Sequence, residues 1–236
     1  MAGAIINPYA VLPGGSGYAY EVLQDNPKTL WMMDETSGTV ATDQGSVGED
    51  GDYGTYNNPT LASGTVFGLT VPVFTSSQTM TVPYNAGYWG MIGYSGAITF
   101  EYIWNPNSAS NWSKLLDWPL MNLNNLDNTM SWFFASNGSS GSVVNIQVNN
   151  IFSTGTDYHV VHTYQYNTIS ETWINGVSYG KGVPAGVIPS YSAASLKIGR
   201  TDGLGTRGAV GGVAIYGHVL SDARIADHYA ALVAGP

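Results

Sequence analysis

The segment Ala209–Val233, AVGGVAIYGHVLSDARIADHYAALV, constrains the fold more than any other stretch. It reads as a strand with Val213 and Ile215 on one side and Ala214 and Tyr216 on the other, so both faces are apolar. A polar corner follows, and then a short amphipathic helix. Ser221 suits an N-cap, and Asp222 puts negative charge where the helix dipole favours it. Ile225, Tyr229 and Leu232 recur at i, i+4, i+7, the spacing of one buried helix face. Gly235 and Pro236 end the helix. A last strand buried on both sides and closed by one helix needs a sheet to sit in and a second layer to cover it.

The rest of the chain is written in period two. Ile98, Phe100, Tyr102 and Trp104 share a side of AITFEYIW, and Met80 and Val82 a side of SQTMTVPY. Trp132 and Phe134 pair in the same way in SWFFA, as do Val144, Ile146 and Val148 in SVVNIQV. SLKIGR turns Leu196 and Ile198 inward and Lys197 outward. Asn175-Gly176 between TDYHVVHTYQY-NTIS-ETWI and VSYG predicts a type I′ hairpin. TLWMMDE, Thr29 to Glu35, is the first expected strand, and Tyr18 to Gln24 is expected as a short helix stopped by Asp25-Asn26-Pro27. The fold class is therefore all-β: a β-sandwich with a C-terminal helix, formed by one domain over residues 18–236.

Residues 1–17, MAGAIINPYAVLPGGSG, show little periodicity and read as an extended arm. Ile5, Ile6, Tyr9, Val11 and Leu12 make it too apolar for a tail held in water. It either lies along its own domain or docks on a neighbouring subunit. Charged residues make up 10% of the chain, against about 25% in an average soluble domain. The polar surface must therefore be Ser, Thr, Asn, Gln and Gly, a composition common in secreted binding modules and virion proteins. A formal charge of −9 argues against a nucleic-acid partner. No apolar run reaches the roughly 18 residues of a membrane span, so no membrane insertion is expected. With no cysteine, stability cannot come from disulfides. The N-terminus carries no basic, apolar export signal, so synthesis in a cytoplasm without such a signal is expected.

Two segments resemble a known family. YAYEVLQDNPKTLWMMDETSGTVATDQGSVGEDGDYGTY is similar to the entry of concanavalin A-like, laminin-G-like (LamG) jelly rolls. The shared features are a short helix, an Asp-x-Pro turn, a Trp-bearing strand, Glu-x-Ser-Gly, then an Asp and a Gly-rich turn into Gly-x-Tyr. GGVAIYGHVLSDARIADHYAA is similar to the exit of the same family. The resemblance covers about residues 18–233 and implies a concanavalin A-like jelly roll. Together with the arm, the low charge and the absent export signal, it resembles domains of bacteriophage virion proteins, minor tail or capsid-decorating. The implied function is a non-enzymatic structural protein located in the virion, whose partners are other virion proteins or copies of itself, and a host-cell glycan. A free-standing carbohydrate-binding lectin is the alternative, and a glycan hydrolase a more distant one. Two departures stand out. Gly211-Gly212-Val213 replaces the acidic pair many relatives carry before the Ala-Ile-Tyr strand, and Leu-Trp-Met-Met-Asp-Glu replaces a first strand that often holds an Arg.

Glycosidases of this superfamily place carboxylates at period-two spacing, Glu-x-Asp-x-Glu, on one strand face. Here Glu101 has Thr99 and Ile103 as same-face neighbours, and Glu171 is also alone, so no catalytic residue is expected. The loop Asp43–Asp52 supports two readings: oxygen ligands for calcium, or an Asx-rich turn whose carboxylates cap backbone N–H groups. The resemblance points to Asp43 as the metal ligand, and no other cofactor is expected. Gly203-Leu204-Gly205-Thr206-Arg207-Gly208 matches G-x-G-x-x-G, but a strand follows it rather than a helix, so it reads as a hairpin loop. His159 and His162 point to opposite faces, and His228 reads as structural. The remaining candidates are loop aromatics, Tyr88, Trp89, Tyr94, Trp112 and Trp118. They suit stacking on sugar rings or anchoring a protein interface, or they cap the ends of the sandwich.

Overall fold

The computed structural model describes residues 17–54, 58–75, 78–83, 96–107, 113–118, 121–126, 129–135, 142–149, 151–165, 168–182, 195–199 and 208–235, with backbone pairing alone between 113 and 149. Among these, two antiparallel sheets of eight strands each face one another. Sheet A runs β14 (Val177–Gly182), β13 (Ile169–Ile174), β12 (Tyr158–Gln165), β7 (Ala97–Pro106), β16 (Gly208–Tyr216), β5 (Leu69–Phe74) and β4 (Thr60–Val66). β1 (Thr29–Trp31) also pairs with β16. Sheet B runs β11 (Ser142–Asn149), β10 (Thr129–Ala135), β9 (Met121–Leu126), β8 (Ser113–Trp118), β15 (Leu196–Gly199), β6 (Thr79–Val82), β3 (Gly51–Asp52) and β2 (Val40–Ala41). Helix α1 (Gly17–Gln24) and helix α2 (Asp222–Ala234) complete the chain. No described helix is long and apolar enough to cross a membrane.

The alternation read from sequence is the alternation that packs. Ile98, Phe100, Tyr102 and Trp104 of β7 join Met80, Val82, Leu196 and Ile198 in the core between the sheets. Val213 and Ile215 of β16 face the same core, while Ala214 and Tyr216 face a second apolar cluster on the outer side of sheet A. That second cluster is what the helices cover. Tyr18 and Val22 of α1 and Ile225 and Leu232 of α2 pack there with Ile103, Val161 and Trp173. The result is three layers, helices on sheet A on sheet B, with sheet A buried on both faces.

The caps behave as written. Ser221 Oγ accepts from the Arg224 N–H at 3.3 Å. Asn175 and Gly176 both take positive φ, 52° and 74°, as a type I′ turn requires. Three expectations are corrected. β1 ends at Trp31 rather than Glu35, and Met33 turns into the left-handed region at φ 62°, which a continuing ladder does not accommodate. The buried face of α2 is Ile225, His228 and Leu232, with Tyr229 only partly covered. β15 lies in sheet B and β16 in sheet A, so these two strands do not pair as a hairpin, and residues 203–207 lie outside the described residues.

Gly211 and Gly212 explain the departure before the Ala-Ile-Tyr strand. The register between β16 and β7 shifts between Gly211 and Ala214, a bulge. Gly212 has φ 55°, and a Cβ there would come within 2.7 Å of the Tyr18 ring. A Cβ on Gly211 would meet Val71 at 2.4 Å. An acidic side chain has no room at either place.

Candidate functional site

Glu101 lies mid-strand in β7 with Val161 and Ala214 as its cross-strand neighbours. It faces outward from sheet A, beneath the helices, and is 0% exposed. A charge in that position requires partners, and the fold supplies four. Tyr18 Oη from α1 lies 3.1 Å from Oε1, and Tyr216 Oη from β16 donates to Oε2 at 2.7 Å. His159 Nε2 from β12 lies 2.8 Å from Oε1. His228 Nδ1 from α2 lies 3.1 Å from both oxygens. Burial alone would raise the carboxyl's pKa, but the His228 charge and the hydrogen bonds from His159 and His228 outweigh it and hold Glu101 well below the usual carboxylate range. Tyr18 and Tyr216 go the other way, raised by burial and by the Glu101 charge beside them.

The cluster continues to the rim. His228 Nε2 meets Asp25 Oδ2 at 2.8 Å. The Arg224 guanidinium reaches Asp25, Glu21 and Asp227 at 2.9 to 3.0 Å. Sequence reading gives Glu101 no second carboxylate on its strand face and reads His228 as structural; it does not disclose that α1 and α2 bring Tyr18 and His228 to that carboxylate. The only local signal is a glutamate in the middle of an otherwise apolar strand. His159 and His162 do face opposite sides: His162 sits under Tyr102 and Thr172 on the core side, where burial pushes it down to about 3. Glu171 accepts from Ser178 Oγ and pairs with Lys181 at 2.8 Å.

Asp43 organises the acidic loop through the backbone. Its Oδ1 accepts from the N–H of Leu30 and of Gly45, and its Oδ2 from the N–H of Glu49, each at 2.8 Å. Asp50 in turn accepts from the Asp43 N–H at 2.8 Å. Burial raises Asp43 more than these backbone bonds lower it, with the Asp50 charge adding to the rise. Both carboxylate oxygens thus already accept from amide hydrogens, the arrangement of an Asx-type turn. Among the described residues, no group of three His, Asp or Glu is arranged to hold a metal ion.

Of the aromatic candidates, Tyr88, Trp89, Tyr94 and Trp112 lie outside the described residues, as do Ile5, Ile6, Tyr9, Val11 and Leu12 of the arm. Trp118 ends β8, with Met121 of β9 as its Cα partner. The structure brings together a different set. Across sheet B the register runs Asp52–Thr81–Lys197–Asp117–Asn122–Phe133–Asn145, one residue from each of seven successive strands. Thr81 lies between the core residues Met80 and Val82, and Lys197 between Leu196 and Ile198. Thr81 and Lys197 are therefore on the face of sheet B turned away from the core. A second row, Lys114–Asn124–Ser131–Gln147, runs beside the first. In the described part of the face, the Thr79 and Thr81 hydroxyls are buried without a hydrogen-bond partner.

Residues 75–226 match the family model Laminin_G_3, described as the concanavalin A-like lectin/glucanases superfamily. No curated protein sequence matches the chain. The binding domain of botulinum neurotoxin DC in complex with SialylT superposes with a TM-score of 0.69 at 12% identity, over 89% of this chain and 52% of that one. The same toxin's binding domain in complex with rat synaptotagmin II gives 0.67 at 10% identity, over 88% and 52%. A botulinum neurotoxin type C structure, described by the dependence of cell entry on interaction with two ganglioside molecules, gives 0.69 at 12% identity, over 89% and 52%. The chain spans about half the length of these structures. At such identities the likeness is one of fold.

Proposed function

Since the chain belongs to the concanavalin A-like lectin/glucanases superfamily, we propose that it is a non-enzymatic adhesion domain that meets a neutral glycan through the outward face of sheet B. The observation that carries this reading is the seven-strand row from Asp52 to Asn145 and its neighbour from Lys114 to Gln147. Sheet A spends its outer face on the helices, whereas the sheet B rows hold amides, hydroxyls and one aromatic. Amides and hydroxyls match a sugar's alternating donors and acceptors, and a ring offers a platform to its apolar face. Both charge signs occur in the rows, which suits an uncharged ligand better than a polyanion. The toxin structures of the same fold are described in complex with SialylT and by dependence on gangliosides, so glycan recognition is at home on this architecture.

The non-enzymatic part of the reading draws on Glu101. The carboxylate at the middle of the central strand is sealed beneath two helices and held by four partners, so it is not offered to a substrate. The finer assignment, to a bacteriophage virion as a minor tail or capsid-decorating protein, draws on the apolar arm with Ile5, Ile6, Tyr9, Val11 and Leu12 and on the charged content of 10%. Tyr88, Trp89, Tyr94, Trp112 and Trp118 then serve as flanking contacts to glycan or to a neighbouring subunit.

Glycan-array binding tests the first part. Asn122→Ala and Phe133→Ala are expected to abolish binding that Trp89→Ala and Trp112→Ala only weaken. The reverse order would move the site to the loops, and no binding by the wild-type chain would remove the glycan reading. Deleting residues 1–16 tests the virion part: incorporation into particles should be lost while the domain stays folded, and unchanged incorporation would overturn it.

A further inference from the structure

The two ends of the described chain, α1 and α2, meet over the same strands and are fastened there by one polar cluster. His228 is its centre. Nδ1 faces Glu101 and Nε2 faces Asp25, at 3.1 and 2.8 Å. A ring nitrogen that faces a carboxylate contributes a hydrogen, and contacts on both nitrogens need both hydrogens, the imidazolium form. Groups face it from every element packed there: Glu101 of β7, Asp25 beyond α1, Tyr18 of α1, Tyr216 of β16 and Arg224 of its own helix. His159 of β12 shares Glu101, and His218 interacts with both Asp25 and Lys28.

We propose that this cluster is a proton-operated latch: doubly protonated His228 clamps α1 and α2 to sheet A, and loss of one proton loosens α1. Deprotonation removes one of the two ring hydrogens, so either Glu101 or Asp25 loses its bond, and Glu101 is left buried with less positive charge beside it. The effect falls on α1 because that helix has eight residues, too few to persist in water without tertiary anchors. Of its other polar ties, Arg224 to Glu21 and Asp25 are partly exposed and so weaker, and Tyr18 bonds Gly212 and the same Glu101 whose charge His228 balances.

The direction follows from the electrostatics. Burial opposes the His228 charge, but Glu101 and then Asp25 outweigh burial and the opposing Arg224, so its pKa is raised. A raised histidine stabilises fully below its ordinary value near 6.5 and loses that contribution as pH climbs through the folded value. The latch is therefore tight below the ordinary histidine value and loosens as pH climbs through the raised one.

Hydrogen exchange of the full chain, compared at about pH 6 and about pH 9 after correction for intrinsic rates, tests it. Amides of α1 and α2 should lose about tenfold protection or more relative to those of β7 and β12 at the higher pH, the order that loss of one hydrogen bond to a charged buried group produces. In His228→Gln, protection of the two helices should already be low at the lower pH and flat with pH. Equal helix and sheet responses, or an unchanged pH response in His228→Gln, would overturn the latch. Should that variant not fold, NMR titration of the wild-type His228 ring gives the same decision: its midpoint must coincide with the loss of helix protection, and a separate midpoint overturns it. An intact latch in a chain whose arm proves dispensable for particle incorporation would sink the arm reading alone.

Discussion

At the scale of single residues, Glu101 is a costly side chain to change. Replacing it by Ala leaves two tyrosine hydroxyls and two imidazoles pointing at a void, and breaking a buried charged cluster by removing one partner costs about 3–5 kcal/mol. Denaturant titration of Glu101→Ala should show that loss, and a change under about 1 kcal/mol would mean the cluster is not energetically coupled. Because the folded-state pKa is depressed, Glu101 contributes stability above the ordinary carboxylate value and loses it only as pH falls through a much lower one. The domain should therefore hold its structure into acid, and Glu101→Gln should bring the acid unfolding midpoint upward. Asp43 is the second such residue. Asp43→Ala strands three amides and should cost on the order of 3 kcal/mol, whereas a chelator should leave the wild-type melting temperature where it was. A chelator-induced drop would restore calcium to that loop.

At the scale of elements, local chemistry and packing can be told apart. Ser221→Ala removes one capping bond and should lower stability by about 1 kcal/mol, measurable in the thermal midpoint. Gly212→Ala is a different matter, since the residue sits at φ 55° with its would-be Cβ against the Tyr18 ring. Backbone strain and displacement of Tyr18 together should cost about 2–4 kcal/mol, and a neutral outcome would mean that α1 shifts freely on the sheet. Gly-Gly within an apolar strand pattern is itself a sign of a bulge or close approach. What that pattern does not disclose is which neighbour approaches; here it is a tyrosine 194 positions earlier in the chain.

At the scale of the whole molecule, the sandwich and its helical cover are distinct layers with distinct cores. Truncation after Leu220 would strip α2 from the outer face of sheet A and expose Val161, Trp173 and Tyr216. The truncated chain should bind a hydrophobic dye and lose a sharp melt; a cooperative melt equal to that of the full chain would mean that α2 is ornamental to stability.

The period-two runs, the Asn-Gly turn and the capped C-terminal helix were legible from residues alone, because each is a local relation between neighbours a few positions apart. The alternation in β7 and β16 was enough to assign which side chains enter the core. The sheet to which a strand belongs was not legible, as the 203–208 stretch shows: a glycine-rich loop between two strands reads the same whether it turns within a sheet or crosses between sheets. Nor was the Glu101 cluster, since Tyr18, Asp25, His159, Tyr216 and His228 come together only once the chain's two ends lie on one sheet face. Sequence by itself determined the sandwich and its closing helix, through hydrophobic spacing and capping. Tertiary structure alone decided which polar groups meet, because charge is stabilised in the interior only by partners brought from far along the chain.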